Sequence, residues 1–167
     1  MISLKQRLVT LVSIGIVVVF LDQITKYLVF HYLYQRLIII PGFFDLVSVY
    51  NRGMVFGMFN SGQCIFRTTL LTILSIAVFF ILIGIYLFSK DITKLSMLAL
   101  SLIISGAIGN IIDRIRLGYV IDFIDLYVKN VHWPAFNIAD SAITIGAILL
   151  AIDLLFGTKK EKISTPL

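Results

Sequence analysis

From Thr68 to Phe88 the chain reads TTLLTILSIAVFFILIGIYLF, 21 residues without a single charge. About 20 apolar residues in a helix cross the hydrocarbon of a bilayer. Helix is the form such a run must take, because in lipid it alone pairs every backbone group within one segment. Three further stretches carry the same signal, so the sequence predicts spans at approximately 8–33, 66–88, 95–115 and 137–157. Composition agrees: 59% of residues are hydrophobic and 14% charged, with a mean hydropathy of +1.02. A soluble domain holds about 45–50% apolar and about 25% charged residues. A soluble chain of 167 residues could not hide this much aliphatic surface. Lipid is its solvent, and residues 1–167 are expected to form one integral membrane domain.

The net charge of +5 comes from scattered residues and a short KKEK tail at 159–162. In a membrane protein such a balance points to anionic headgroups, and no basic and aromatic array points to nucleic acid. The one cysteine, Cys64, excludes an internal disulfide and reads as a small apolar filler. The N-terminus resembles a signal peptide, with Lys5 and Arg7 before an apolar stretch. That stretch runs into Asp22, Gln23 and Lys26 without a small-residue cleavage pattern, which favours an uncleaved first span. Basic residues do not orient the protein, since the two sides carry seven each. Both termini are placed in the cytoplasm because several basic residues of the other side sit inside candidate motifs.

The connections differ in kind. SKDITK (89–94) is a short turn. The first loop alternates Phe44, Leu46, Ser48 and Tyr50 after Pro41-Gly42, which predicts a small strand or hairpin. The piece GMVFGMF (53–59) is apolar but too short to span, and is expected to lie on the membrane surface. The expected fold is thus an all-α membrane protein of four transmembrane helices, with a small extracytoplasmic β element and a surface-lying helix. Met54, Met58 and nearby Phe residues read as apolar surface or core.

Four spans place the end of span one, the first loop, the end of span three, the third loop and the start of span four on one side. The unusual polar residues fall there: Asp22 and Lys26; Asn51 and Arg52; Asn110, Asp113 and Arg114; Asp122 and Asp125; Asn137 and Asp140. Among the acids, only Asp91, Asp153 and Glu161 belong to the other side. Asn110, Asp113 and Arg114 share a helix face, as do Asn137 and Asp140. Asp22 and Lys26 are four apart and can pair, unless they merely snorkel at a helix end.

Carboxylate is what this face has in quantity. His31 and His132 lie by no obvious nucleophile, His132 beside Trp133 and Pro134 reads as interfacial, and a zinc site lacks the His and Cys count. Asp122, in YVIDFIDLYV, and Asp140 come from opposite ends of the third loop and can meet between spans three and four. Two close carboxylates share one proton. One then activates a water while the other polarises a carbonyl. The plainer alternative is that both aspartates cap helices or pair with Arg114 and Arg116.

In order and spacing, DQITK (22–26), NRGMVFG (51–57), GAIGNIIDR (106–114), VIDFID (120–125) and FNIAD (136–140) resemble the motifs of the lipoprotein signal peptidase family, signal peptidase II. The resemblance covers nearly the whole chain. It implies four transmembrane helices in the bacterial inner membrane, both termini cytoplasmic and the active site at the extracytoplasmic face. It implies a catalytic pair at Asp122 and Asp140, supported by Asp22, Lys26, Asn51, Gly53, Asn110, Asp113, Arg114 and Asn137. Asp113 and Asp125 belong to the motifs without being catalytic. The implied substrate is a prolipoprotein with a diacylglyceryl-modified Cys, cut on the N-terminal side of that Cys. The spans would supply a lipid-accessible groove for its acyl chains and the 41–63 loop a clamp. No metal or other cofactor is implied; inhibition by globomycin-type cyclic peptides and a monomeric state are. Arg52, Met54 and Ala107 depart from the family's usual residues and bear on substrate preference.

Three rivals remain at this stage: a proton-coupled transporter or channel subunit using the acids as a relay, a metal-dependent lipid-modifying enzyme with Asp122 and Asp125 as oxygen ligands, and a structural subunit. Against the first, the polar residues gather at one face and do not reach across the midplane.

Overall fold

The structure, a computed structural model, describes residues 2–53 and 61–156. Four long helices and four strands follow one another as α1 (Leu4–Tyr32), β1 (Leu37–Ile40), β2 (Phe44–Asn51), α2 (Ser61–Phe88), α3 (Lys94–Leu117), β3 (Val120–Val128), β4 (Val131–His132) and α4 (Ile138–Phe156). Each helix contains a stretch long and apolar enough to cross a bilayer. Most of the surface-lying piece expected around 53–59, with Met54 and Met58, falls outside the described residues, as does part of the expected 41–63 clamp.

Burial runs opposite to that of a soluble protein. Val12, Ile16 and Phe20 of α1 and Ile73, Phe80 and Ile81 of α2 are exposed, whereas Arg7, Asp22 and Lys26 are buried. Hydrocarbon welcomes the first set. The second set must turn inward, since charge facing lipid is costly. What holds the helices together is therefore close packing and polar contact more than apolar burial. Helix α3 is central and packs against the other three. Its contact with α4 is set by small residues. A Cβ at Gly146 would lie 2.6 Å from the Ala99 carbonyl oxygen, and one at Gly106 would lie 2.4 Å from that of Ala139.

The β element is larger than the strand or hairpin expected in the first loop. A single antiparallel sheet of order β1-β2-β3-β4 joins the first loop to the third. Pro41 and Gly42 make the β1–β2 turn. Phe43 donates its N–H to Ile40 (3.0 Å) and Gly42 has φ +80°, the positive φ of a type II turn at its third residue. Helix α3 ends on Gly118, left-handed at φ +75°, and β3 begins two residues later. That short passage delivers Asp122 from the end of one helix to the start of another. Val29 of α1 packs with Ile121 and Phe123 of β3, seating the sheet on the helices.

A larger side chain at Gly106 or Gly146 must push α3 and α4 apart, and overpacking of this kind costs about 1–3 kcal/mol. Gly106→Val and Gly146→Val are expected to lower the thermal unfolding midpoint in detergent by several degrees. Gly84→Ala, with no atom within 4 Å of the added carbon, should leave it unchanged.

Candidate active site

A buried cation organises the residues beneath the sheet. Lys26 Nζ lies 2.8 Å from Asp22 Oδ2 and 2.9 Å from Asp113 Oδ2, and donates to Asn110 Oδ1 at 3.1 Å. Asp22 is 0% and Lys26 2% exposed, so the pair does not snorkel. Asp22 also accepts the N–H of Ala139 (2.9 Å), and Asp113 that of Ile121 (3.2 Å). One ionic cluster thereby fastens α1, α3, β3 and α4. Gln23, not among the expected site residues, donates to Asp113 Oδ1, Asp22 Oδ2 and the Gly109 carbonyl. Its signal was available: an amide beside Asp22 inside an apolar span. A Cβ at position 109 would sit 2.5 Å from Asp22 Oδ2, so Gly109 leaves the space that carboxylate fills.

Asn137 joins the two aspartates. Its Nδ2 donates to Asp122 Oδ1 at 2.8 Å, and its Oδ1 accepts the Asp140 N–H at 2.9 Å. Asp140 returns a bond, accepting the Asn137 N–H at 3.3 Å, the reciprocal pattern of a capping box. Asp140 thus stands in the first turn of α4, facing the positive end of the helix dipole. Asn110 Nδ2 donates to Asp140 Oδ1 at 2.7 Å. Of the three residues expected on one face of α3, Asn110 reaches Asp140 and Asp113 reaches Lys26. Arg114 is different: its guanidinium turns back to the Asn110 carbonyl (3.3 Å). Among the described residues neither Asp122 nor Asp140 forms an ion pair with Arg114 or Arg116.

The second amide on Asp122 depends on a strand irregularity. Leu46 pairs with Ile124 but Val49 with Asp122, so β2 carries one extra residue between them. Without it, Asn51 would oppose Tyr119 and point to the other face. With it, Asn51 opposes Val120 and donates Nδ2 to Asp122 Oδ2 at 2.9 Å. Gly53, at φ +77°, closes a turn by donating its N–H to Asn51 Oδ1 (2.8 Å), which fixes the amide's direction.

Asp125 lies three residues beyond Asp122 and so on the opposite face of β3. It receives His132 Nδ1 at 2.9 Å, and the imidazole stacks on Tyr127. Asp45 lies opposite Asp125 and pairs with Arg36. Asp122 and Asp125 therefore do not form one ligand set. His132, expected to be merely interfacial, is tied into this second cluster. Asp45 was not singled out in the sequence.

Asp122 is 2% exposed, and burial pushes its carboxyl up to about 6. The Asn51 bond opposes that rise, the nearby charge of Asp140 adds to it, and Asn137 and Lys26 oppose it further. Beside Asp140 a groove of about 510 Å³ opens, walled by Trp133, Phe136, Thr144 and Ile145. Asn137 holds the buried Asp122 carboxylate through its side chain and the half-buried Asp140 carboxylate through its main-chain N–H, and such a pair beside an apolar groove can activate water against a carbonyl held there.

The family and relatives that this chain matches place it among the membrane-bound proteases. The family model described as Signal peptidase (SPase) II matches residues 14–156. The chain is 39% identical over 161 residues to a lipoprotein signal peptidase of Syntrophus aciditrophicus, covering 95% of this chain and 98% of that one. It is 41% identical over 160 residues to a lipoprotein signal peptidase of Geobacter metallireducens, covering 92% of each. A solved bacterial membrane enzyme superposes with a TM-score of 0.80 at 33% identity, over 95% of this chain and 94% of that one. The chain belongs to the signal peptidase II family, and is a bacterial inner-membrane protein.

The Asn51 bond favours ionised Asp122, so removing it should raise the pH at which Asp122 loses its proton. Infrared difference spectra of the protonated carboxyl are expected to show a titration near about 6 in the wild type. Asn51→Ala should titrate at higher pH, and Asp122→Asn should lack the band.

Proposed function

We propose that this protein is an aspartic endopeptidase that removes the signal peptide from diacylglyceryl-modified prolipoproteins, cutting on the N-terminal side of the lipidated Cys. The observation that carries this reading is the contact of Asn137 with both Asp122 and Asp140. Burial raises the Asp122 carboxyl, and a substrate that excludes more water pushes it further the same way, which suits Asp122 to the acid's role in the complex. Asp140 is then the base. It takes a proton from a water whose oxygen attacks the scissile carbonyl, while Asp122 gives its proton to the carbonyl oxygen. As the tetrahedral intermediate collapses, Asp140 returns its proton to the leaving amine and Asp122 recovers its own from the hydroxyl. Asn51, Asn110 and Asn137 hold the carboxylates in place, and the Lys26 cluster holds Asn110.

The groove beside Asp140 suits the apolar parts of such a substrate. Both termini face the cytoplasm and the site faces outward in this reading, which brings it to a bond at the bilayer surface. Monomeric action and inhibition by globomycin-type cyclic peptides belong to the same proposal.

Asp122→Asn and Asp140→Asn are each expected to reduce cleavage of a lipidated prolipoprotein by about 10²- to 10⁴-fold, with insertion and unfolding midpoint retained. Chelators should leave turnover intact; normal cleavage by either Asn variant sinks the assignment. With Asp122 as the acid, kcat/KM should fall as pH rises through the free enzyme's step near about 6. A fall in the acid direction at that step would exchange the two roles.

A further inference from the structure

The end of the bundle remote from Asp122 and Asp140 holds a second buried cation, and among the described residues this one has no counter-charge. Arg7 is 6% exposed. Its Nη1 donates to the carbonyls of Tyr86 (3.1 Å) and Leu87 (3.2 Å), while its buried Nε meets no acceptor among the described residues. Among the described residues no carboxylate pairs with it. Lys26, by contrast, is held by two. The two carbonyls close the end of α2 and answer the hydrogen-bonding need of Nη1, but a dipole end carries only a fraction of a charge. Tyr86 fixes the arrangement, donating its hydroxyl to the Arg7 carbonyl at 2.7 Å.

Arg7 lines a groove of about 650 Å³ between the start of α1 and the end of α2. Leu4, Leu8, Leu87 and Phe88 make its apolar walls, and exposed Lys90 stands at its rim. The first turn of α1 carries no acid, and its dipole presents a positive end to the same space. Asp91, the nearest acid in sequence, does not line the groove. Apolar walls at a helix end with two cations describe a site for an amphiphile with a negative head. At the surface of a bilayer the available amphiphile of that chemistry is an anionic phospholipid.

We propose that this groove binds an anionic phospholipid of the surrounding leaflet, its phosphate between Arg7 and Lys90 and an acyl chain along Leu4, Leu8, Leu87 and Phe88. The bound lipid supplies the anion that Arg7 lacks and clamps α1 to α2.

The test uses the full chain in neutral detergent, with native mass spectrometry and thermal unfolding. Phosphatidylglycerol and phosphatidylcholine of identical chains are added in turn, and inorganic phosphate alone at matched concentration. Phosphatidylglycerol should be retained as a one-to-one adduct and raise the unfolding midpoint, and the other two should not. Lys90→Ala, a surface change that leaves folding intact, should weaken phosphatidylglycerol binding about fivefold, the contribution of one basic residue near an anionic headgroup. Lys5→Ala, outside this groove, should bind as the wild type does. Equal stabilisation by phosphatidylcholine, or by inorganic phosphate, overturns the proposal. So does wild-type binding by Lys90→Ala, or an equal loss in Lys5→Ala.

Discussion

The ammonium of Lys26, enclosed by Asp22, Asp113 and Asn110, is the contact on which the rest of the site is built. Each partner comes from α1 or α3, and each carboxylate reaches one element further, Asp22 to the start of α4 and Asp113 to the start of β3. Removing Lys26 would leave Asp22 and Asp113 facing each other without their cation where water cannot reach them, and breaking such a buried pair costs about 3–5 kcal/mol. In lipid the helices gain little from burying apolar surface against each other, because the solvent is as apolar as they are. A buried ionic knot and close glycine contacts therefore carry the burden that an apolar core carries in water.

This solvent reversal also explains where function could arise. Polar side chains in the spans turn inward, and the charged ones gather toward the two ends of the bundle. At one end are Asp22, Lys26, Asn110, Asp113, Asn137, Asp140 and, from the sheet, Asp122. At the other, Asp153 takes the hydroxyls of Thr93 and Ser96, and Arg7 closes α2. The sheet is what converts the first collection into a site. It brings Asn51 from the first loop and Asp122 from the third onto one face, and its β2 irregularity decides which face Asn51 occupies.

Much of this was legible in the sequence because it follows from local period. Uncharged runs mark the helices, and spacings of three and four put Asp22 with Lys26, Asn110 with Asp113 and Arg114, and Asn137 with Asp140 on shared faces. The alternation of Phe44, Leu46, Ser48 and Tyr50 marked β2. What remained hidden is non-local. Nothing in VIDFIDLYV says that it will pair with the first loop, and acids spaced by three look alike until a strand sends Asp122 and Asp125 to opposite faces. Arg7 reads as an ordinary flanking charge, and only packing against Tyr86 shows it buried. Gln23 is overshadowed by the charges on either side of it.

The choice of asparagine around the aspartates has a physical reason. An amide can donate to a carboxylate without adding charge, so Asn51 and Asn137 orient Asp122 while leaving its burial free to raise it toward about 6. A lysine or arginine in direct contact would favour the ionised form and hold the proton off. An amide, however, can point either way. Lys26 resolves this for Asn110: its ammonium takes Oδ1, as does Asn137 Nδ2 at 3.2 Å, which leaves Nδ2 to donate to Asp140. The cation thus acts on the pair at one remove. It fixes the direction of a neutral donor while its own charge is met by Asp22 and Asp113. An exchange of Lys26 for a neutral residue would therefore disturb the orientation of Asn110 as well as the packing of α1 on α3.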